Sequence, residues 1–300
     1  MQSEQTRGLV LCFPECRAQA GSMAAAAGLE VAEIGVHRFP DGESRIDLPQ
    51  ALPEHVFIYR SLDQANQKLV QLILAAATAR ELGATRVALI APYLCYMRQD
   101  KAFHPGEAVS QHIIGKLLAR YFDELLTVDP HLHRVNRIED AVPVARARAL
   151  AATDAMARYL EGRIDNPLLL GPDEESEQWV AAIAKRNGLE FQVARKQRFG
   201  DSEVKILLPD APFRGRQVVL VDDIASTGHT LAATCRELAP HQPAGITVMV
   251  THALFIDDAV QRITAAGAGQ IWSCDSISHP TNRIALAECL AGALAGLRVD

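Results

Sequence analysis

Residues 218–230 read VVLVDDIASTGHT. The four apolar residues that open this segment predict a strand buried on both faces, and the adjacent acids Asp222 and Asp223 follow at its predicted carboxyl end. A turn rich in serine, threonine and glycine then opens a predicted helix. Because open α/β sheets bind their ligands beyond the carboxyl ends of the strands, this order of elements predicts the α/β fold class and the position of a ligand site.

The same alternation extends outward from this segment along the chain of 300 residues. Short apolar runs alternate with longer segments rich in alanine and leucine, a pattern typical of a mostly parallel sheet covered by helices. The order of strand, acidic turn and helix recurs in both halves, as a duplicated fold would produce. We predict two domains, 1–144 and 145–300, with a long helix over 145–163 between the two series of strands. A last helix, at about 283–297, can pack back on the first domain.

Composition argues against several classes of function. The chain has 36 acidic and 30 basic side chains, a net charge of −6, which is unlike the basic surface that non-specific nucleic-acid binding requires. The longest apolar run, residues 72–79, is far too short to span a membrane, and the polar N-terminus lacks a signal-peptide layout. We therefore expect a cytoplasmic protein that binds neither nucleic acid nor membrane. The six cysteines include no C-x-x-C pair, so we expect them to be reduced and mostly buried.

The turn after Asp223 predicts a phosphate cradle. Its hydroxyl groups and close-approaching backbone N–H groups stand at a helix N-terminus, where the helix dipole favours an anion. We assign to this cradle Ser226, Thr227, Gly228, His229 and Thr230. Asp222 and Asp223 repel each other unless a partner compensates, and the hydroxyl groups of a ribose or a nearby Mg²⁺ are suitable partners. The alternative is a helix N-cap preceded by two solvated aspartates.

Segment 218–230 resembles the ribose-phosphate binding loop that phosphoribosyltransferases share with phosphoribosyl pyrophosphate synthetases. Segments of the first half resemble, in the same order, those of ribose-phosphate diphosphokinases. They are FPDGES (39–44), APYLCYMRQDKAF (91–103), PGEAVS (105–110) and TVDPH (127–131). Transferases of this superfamily have no such first half. From about residue 39 to its C-terminus, the chain therefore resembles the ribose-phosphate diphosphokinase family.

This resemblance implies two phosphoribosyltransferase-like three-layer domains, the first binding ATP and the second binding ribose 5-phosphate. The implied reaction transfers the diphosphate group of Mg-ATP to the 1-hydroxyl of ribose 5-phosphate, giving phosphoribosyl diphosphate and AMP. Mg²⁺ is the implied cofactor. The family also implies a homo-oligomer whose ATP site lies near a subunit interface.

The resemblance assigns a set of first-half residues to ATP binding, namely Phe39, Asp41, Glu43, Arg98, Gln99 and Asp100. Taken alone, the Asp41-Gly42 pair predicts a tight turn between two strands. Residues 98–100 alone predict a polar loop, which is either merely exposed or a place where a guanidinium clamps a polyphosphate.

The resemblance also assigns His131 and Asp173 to a Mg²⁺ site. It makes Lys196 and Arg198 the catalytic cations of a mobile loop, where they neutralise charge on the transferred diphosphoryl group. From the residues alone, a lone histidine is more often a structural residue than a metal ligand. In addition, Mg²⁺ prefers oxygen ligands to the nitrogen of a histidine. The basic segment around Lys196 also fits the solvated tip of a β-hairpin.

Two segments depart from the family pattern. GPDEES (171–176) stands where the family often has S-P-D-x-G-G, and STGHT (226–230) stands where D-T-G-G-T is commoner. These departures leave open a non-catalytic regulatory homologue of the synthetase. The loop that both families share leaves open a second alternative, a nucleobase phosphoribosyltransferase. Formation of AMP from ATP and ribose 5-phosphate separates all three functions.

Overall fold

The chain forms two compact units, each with its own sheet and core. The structure, a computed structural model, describes residues 8–132, 135, 137–199 and 203–297, and at 198–199 and 203–205 it describes the backbone only. The first unit extends to Ala151 and is completed by the segment that begins at Leu286, and the second unit is Ala152–Ala285.

The strands and helices of the described residues are, in chain order, β1 (Leu9–Cys12), α1 (Arg17–Ala27), β2 (Glu30–Glu33), β3 (Gly35–Arg38), β4 (Ser44–Asp47), β5 (His55–Tyr59), α2 (Ala65–Glu81), β6 (Arg86–Ala91), α3 (Ser110–Leu118), β7 (Glu124–Val128), α4 (Ile138–Ala141), β8 (Arg146–Leu150), α5 (Thr153–Leu160), β9 (Leu168–Gly171), α6 (Glu177–Asn187), β10 (Phe191–Val193), β11 (Arg195–Phe199), β12 (Glu203–Leu207), β13 (Gln217–Ala225), α7 (His229–Leu238), β14 (Gly245–Ala253), α8 (Ala259–Ala265), β15 (Gln270–Cys274), β16 (Asn282–Ile284) and α9 (Ala287–Ala295).

The first unit contains a six-stranded sheet in the order β2-β1-β5-β6-β7-β8, in which neighbouring strands are parallel. Its central strands β5 and β7 read HVFIY and ELLTV, and every residue in them is buried. Such continuous burial is expected where helices cover both faces of a parallel sheet. Phe13, Ile58, Leu72 and Leu89 lie in the core of this unit. Strands β3 and β4 form a separate antiparallel hairpin.

The second unit repeats this topology. Its six-stranded sheet has the order β10-β9-β13-β14-β15-β16, again with parallel neighbours, and β11 and β12 form the antiparallel hairpin. In the first unit the hairpin lies in the chain between β2, at the edge of the sheet, and β5, which pairs on the other side of β1. In the second unit the hairpin lies in the same way between β10 and β13, on either side of β9. The α/β class with mostly parallel sheets is therefore confirmed, and so is the duplicated fold at the level of strand order.

The last helix packs within the first unit. α9 contacts α1, and Arg148 of β8 donates from Nη1 to the Ala293 carbonyl at 3.1 Å. Arg86 at the start of β6 donates from Nη2 to the Leu297 carbonyl at 2.8 Å. These contacts satisfy carbonyl groups near the C-terminus of the helix, which have no partner within the helix itself.

The prediction of a long helix over 145–163 is wrong. Arg146–Leu150 is strand β8, which pairs in parallel with β7, and helix α5 begins only at Thr153. Alanine and arginine have a weak intrinsic preference for helix. The backbone hydrogen bonds that this segment forms with the neighbouring strand β7 outweigh that preference. The last helix is also shorter than 283–297, because Asn282–Ile284 is strand β16 and α9 begins at Ala287.

The cysteines match the expectation from the sequence. All six are free thiols, and each is buried except the half-buried Cys289. Burial raises the pKa of the Cys95 and Cys235 thiols to about 12, so these side chains act as small apolar core residues. Within the described residues, we find no helix that combines the length and the apolar character needed to cross a membrane.

Candidate active site

Three aspartates lie at the carboxyl edge of the second sheet. The chain leaves β9 on one side to form β10 and later returns on the other side to form β13, so the strand order reverses between β9 and β13. Such a reversal is the place where open α/β sheets bind ligands. Asp173 follows β9 by two residues, and Asp222 and Asp223 lie near the end of β13.

The two adjacent acids lie within β13, not beyond its end as the sequence predicts. β13 runs through Ala225 because β14 continues to pair with it as far as Ala253. On the other side, pairing with β9 ends at Leu220. The segment with Asp222 and Asp223 therefore has a paired strand, β14, on one side only. On the other side it lies beyond the last residue that pairs with β9.

Asp173, Asp222 and Asp223 concentrate negative charge at the carboxyl edge of the second sheet. Burial of its carboxyl group raises the pKa of Asp222 well above the ordinary value, and the charges of Asp223 and Asp173 raise it further. Burial also raises the pKa of Asp173, against the opposing effect of the nearby Lys196. Asp223 is 3% exposed, and its N–H donates to Asp222 Oδ1 at 3.0 Å. Acids held in this way suit a ligand that brings hydroxyl donors or positive charge.

We expect Asp222→Asn to stabilise the ligand-free chain at neutral pH. Because the pKa of Asp222 is raised in the folded chain, the folded state holds a proton that the unfolded state releases near the ordinary value of 3.8. Stability therefore falls as the pH rises from that value through the raised pKa, and asparagine escapes this loss. In calorimetry, Tm at neutral pH should rise by about 2 to 4 °C, the shift that roughly 1 kcal/mol produces in a domain of about 150 to 250 residues.

The same comparison has an internal control. Below the ordinary aspartate pKa the carboxyl group is protonated in both states, so the difference in Tm should shrink towards zero there. Asp154→Asn removes an exposed acid that pairs with Arg186 at 3.0 Å, and it should not stabilise the chain. An unchanged or lower Tm for Asp222→Asn at neutral pH would show that burial and the neighbouring charges do not raise the pKa of this carboxyl group.

The loop between β13 and α7 has the backbone geometry of a phosphate site. α7 begins at His229, so the N–H groups of its first turn have no acceptor within the helix. Gly228 precedes the helix with a φ of 71°, which glycine adopts without strain. A Cβ on Gly228 would also stand 3.0 Å from Ile263 Cδ1 and 3.2 Å from the Ala259 carbonyl oxygen. The positive φ and the lack of space for a Cβ both require glycine at this position. The N–H groups of the first turn of α7 are available to an anion.

Lys196 contacts this loop from the β11-β12 hairpin. Its Nζ donates to Thr230 Oγ1 at 3.2 Å, and its charge acts on Asp173. Lys196 is half-buried and stands opposite the buried Ile206, so it is not the solvated tip of the hairpin. Arg198 lies two residues further along β11, and its side chain lies outside the described part of the chain. The second unit thus brings together a cation, a hydroxyl-bearing loop and a group of acids.

The segment GPDEES forms a capped turn. Ser176 Oγ donates to the Asp173 carbonyl at 2.5 Å, and the Asp173 N–H donates to Ser176 Oγ at 3.4 Å. Ser176 is fully buried, and it lies so close to Gly171 that a Cβ on this glycine would collide with the serine hydroxyl. The departure from the family pattern therefore fixes the backbone that presents the Asp173 carboxyl group.

The segment FPDGES forms the turn of the β3-β4 hairpin, as the Asp41-Gly42 pair predicts. The Gly42 N–H donates to the Phe39 carbonyl at 3.0 Å, and the Phe39 N–H donates to the Glu43 carbonyl at 2.8 Å. Asp41 Oδ1 accepts from the Glu43 N–H at 3.1 Å. The Phe39 side chain is 39% exposed, and its ring contacts His37 edge-on at 4.7 Å between centroids. An exposed ring on a rigid turn is suited to stacking on a base.

The loop after β6 carries Arg98, Gln99 and Asp100. Helix α3 supports it through the fully buried Gln111, whose N–H donates to the Gln99 carbonyl at 3.2 Å and whose Nε2 donates to the Met97 carbonyl at 3.1 Å. Arg98 is exposed, so its guanidinium is accessible to an anion, whereas Asp100 is buried.

The two residues of the predicted metal site lie in different units. His131 is half-buried, follows β7 by three residues and belongs to the first unit, and Asp173 belongs to the second. In the described ranges, no three His, Cys, Asp or Glu side chains come together as a metal site. The carboxylates of Asp173 and Asp222 nevertheless fit Mg²⁺ by donor type and charge, because Mg²⁺ takes oxygen ligands and the charges of Asp173 and Asp223 both act on Asp222.

Sequence reasoning missed a buried cluster beneath the β3-β4 hairpin. Arg60 is 3% exposed, donates from Nε to Glu15 Oε1 at 2.9 Å and from Nη2 to Gln71 Oε1 at 2.6 Å, and lies 3.6 Å from the centre of the Phe13 ring. Gln71 in turn donates to Ser44 Oγ at 2.9 Å, which connects the hairpin to the core. β5 has the same place in the first sheet as β13 has in the second. Arg60 follows β5 and is paired within the protein, whereas β13 carries Asp222 and Asp223. The available signal was an arginine directly after a buried strand.

Comparison with known proteins gives similarity over both units. A family model described as the N-terminal domain of ribose phosphate pyrophosphokinase matches residues 9–121, and a phosphoribosyl transferase domain model matches residues 141–279. A ribose-phosphate pyrophosphokinase of Methanopyrus kandleri is 32% identical over 271 residues, covering 89% of this chain and 92% of the relative.

Two further relatives extend this similarity along the chain. Ribose-phosphate pyrophosphokinase 2 of Archaeoglobus fulgidus is 30% identical over 282 residues, covering 94% of this chain and 98% of the relative. The crystal structure of phosphoribosylpyrophosphate synthetase from Mycobacterium smegmatis matches with a TM-score of 0.82 at 19% identity, over 97% of this chain and 98% of that chain. At that identity the structural match supports the fold.

Proposed function

The chain belongs to the ribose-phosphate pyrophosphokinase family, and we propose that it transfers the diphosphate group of ATP to the 1-hydroxyl of ribose 5-phosphate. The products are phosphoribosyl diphosphate and AMP. The observation that carries this proposal is the contact of Lys196 with Thr230, at a helix N-terminus that follows the acids of β13. A nucleobase phosphoribosyltransferase is not favoured, because the similarity to the synthetases includes residues 9–121 of the first half of the chain.

Ribose 5-phosphate is bound by two groups of residues in the second unit. The N–H and hydroxyl groups of residues 226–230 bind its terminal phosphate, and Asp222 and Asp223 accept hydrogen bonds from the ribose hydroxyls. Thr230 serves both the substrate and the catalytic cation. Its Oγ1 accepts from Lys196, so its hydroxyl hydrogen can point to the phosphate. An occupied phosphate site therefore also orients Lys196.

The transfer is an in-line displacement at the β-phosphorus of ATP. The ribose 1-oxygen forms a bond to this phosphorus, and the bond from the phosphorus to the α–β bridging oxygen breaks. AMP leaves with the electron pair, and the hydroxyl proton passes to solvent. The chain forms no covalent intermediate, so its contribution is to position the substrates and to offset charge. Lys196 and Arg198 stabilise the charge that develops on the transferred group.

ATP is bound by the first unit. The exposed ring of Phe39 stacks on adenine, with Asp41 and Glu43 beside it on the same turn, and Arg98 contacts the polyphosphate from a loop that also carries Gln99 and Asp100. We also propose that the chain forms a homo-oligomer with the ATP site near a subunit interface. Sedimentation equilibrium tests this, and a purely monomeric active enzyme would contradict it.

Mg²⁺ is the proposed cofactor, with His131 and Asp173 as its protein ligands. When bound it supplies positive charge that neutralises the polyphosphate. The chain carries a net charge of −6, so its own side chains supply little surplus positive charge for that purpose.

We expect His131→Ala and Asp173→Ala each to raise the Mg²⁺ concentration needed for half-maximal activity, because each removes one protein ligand. Titration of activity against Mg²⁺ measures this, and electron paramagnetic resonance of bound Mn²⁺ gives a second readout that does not depend on turnover. His112→Ala, at an exposed position on α3, is the matched control and should leave both unchanged. Unchanged metal dependence in both variants would remove His131 and Asp173 from the metal site.

The proposed reaction is tested by incubating the chain with Mg-ATP and ribose 5-phosphate and separating the nucleotides. We expect AMP to form in step with phosphoribosyl diphosphate. Free ribose should be a very poor substrate, because it lacks the phosphate that residues 226–230 bind. Absence of AMP under these conditions would leave the regulatory homologue as the better function. Consumption of phosphoribosyl diphosphate when a nucleobase is added would favour the transferase.

A further inference from the structure

Arg262 of α8 contacts residues 226–230, which run from the end of β13 into the first turn of α7 and which we call the phosphate loop. Its Nη1 donates to the Thr227 carbonyl at 3.0 Å and also lies 2.6 Å from Nε2 of the exposed His229. Its Nη2 donates to Asp258 Oδ1 at 2.5 Å. Sequence reasoning missed this residue, although the spacing of Asp258 and Arg262 on one helix face was a signal for an ion pair.

The guanidinium is already engaged by groups of the protein. One terminal nitrogen serves the loop carbonyl and the imidazole, and the other is ion-paired with Asp258. The charge of Arg262 is thus balanced within the second unit. A direct contact with an anionic substrate would have to displace these partners, so the geometry assigns Arg262 to the loop.

The loop carbonyls that face this side fix the direction of the N–H groups. The Thr227 carbonyl accepts from Arg262, and the Ser226 carbonyl accepts from the Ile256 N–H at 3.0 Å. In a planar trans peptide, the carbonyl of one residue and the N–H of the next point in opposite directions. The Gly228 N–H therefore points away from Arg262, and the Thr227 N–H points away from Ile256. On that side of the loop they can form a concave anion site with the first N–H groups of α7.

We propose that Arg262 is a positioning residue for the binding of the 5-phosphate of ribose 5-phosphate. By binding the Thr227 carbonyl, it holds the peptide plane that aims the Gly228 N–H at the phosphate. This inference rests on the proposed function, since it takes the terminal phosphate of that substrate as the ligand of the loop. It also accounts for the histidine of STGHT, because the ring of His229 contacts the same nitrogen of Arg262.

The test compares Arg262→Met and Arg262→Lys with the parent in the full chain. Isothermal titration with ribose 5-phosphate should give a Kd raised roughly tenfold in Arg262→Met, as expected for one lost hydrogen bond from a charged donor. Inorganic phosphate, used as a competitor, should weaken by the same factor, and KM for ATP should stay close to the parental value. Arg262→Lys should recover part of the affinity, since its ammonium group can donate to the carbonyl but lacks the two separate terminal nitrogens with which Arg262 serves Thr227 and Asp258.

Arg236→Met is the matched control, because it removes an exposed arginine from the last turn of α7 and should leave Kd and both KM values unchanged. A Kd for Arg262→Met within twofold of the parent would overturn the inference. So would an equal rise in KM for ATP, since this would indicate a general structural defect. If Arg262→Met does not fold, Arg262→Ala, which also lacks a donor, decides by the same criteria. A parent that makes AMP but whose variants bind ribose 5-phosphate normally refutes this inference alone, whereas a parent that binds no ribose 5-phosphate refutes the proposed function too.

Discussion

Lys196→Ala is expected to lower kcat by on the order of 10² to 10³, the loss typical of removing one preorganised electrostatic donor, while KM for either substrate changes much less. The charge of Lys196 is needed most while the β-phosphoryl group moves between the two oxygens. An interaction made only in the transition state affects kcat, whereas uniform binding affects only KM. The assay is steady-state release of AMP at saturating substrates.

The stability of Lys196→Ala should change little, since Lys196 is half-buried and, within the described residues, makes one hydrogen bond, worth about 1 kcal/mol. Lys185→Ala removes an exposed lysine from α6 in the same unit and should retain the parental kcat. Arg198→Ala should resemble Lys196→Ala. If both Lys196→Ala and Arg198→Ala keep near-parental kcat, the hairpin does not supply the catalytic cations, and Arg98 is the next candidate.

Asp223→Asn is expected to raise Kd for ribose 5-phosphate on the order of 10²-fold, the loss of one or two charge-assisted hydrogen bonds to the ribose hydroxyls. Asp223 is buried near the end of β13, where β14 fixes its backbone, so asparagine can keep the shape but accepts more weakly and places a donor on one side. Isothermal titration measures the affinity, and KM for ATP provides the comparison within the same variant.

KM for ATP should move by far less than Kd for ribose 5-phosphate, because the residues that we propose for ATP binding belong to the first unit. Asp154→Asn, an equal change of charge at an exposed position on α5, should leave both values unchanged. Equal weakening of both substrates by Asp223→Asn would mean that the loop and its acids are assigned to the wrong ligand.

The features that could be predicted from the sequence are those set by local patterns. Continuous apolar runs such as those of β5 and β13 indicate buried parallel strands, and the turn chemistry of Asp41-Gly42 indicates a hairpin, which the Gly42 to Phe39 hydrogen bond confirms. The glycine of the phosphate loop follows from the same logic, because Gly228 has a positive φ.

The features that could not be predicted depend on partners distant in sequence. Arg146–Leu150 becomes a strand only because β7 offers an edge, and local propensity gives no sign of this. Arg60 finds Glu15 across 45 residues, and Arg262 finds the Thr227 carbonyl across 35 residues. Periodicity describes which face of an element is buried, but it does not identify which polar group from another element will meet it there.

Diphosphate transfer by this chain is tested by following the β-phosphorus of ATP. The chain is incubated with Mg²⁺, ribose 5-phosphate and ATP that carries a radioactive β-phosphorus, and the products are separated. We predict that the label appears in phosphoribosyl diphosphate in amounts equal to the unlabelled AMP released. Label that stays in the nucleotide as ADP, or labelled ATP that persists unchanged while ribose 5-phosphate is bound, would contradict diphosphate transfer by this chain.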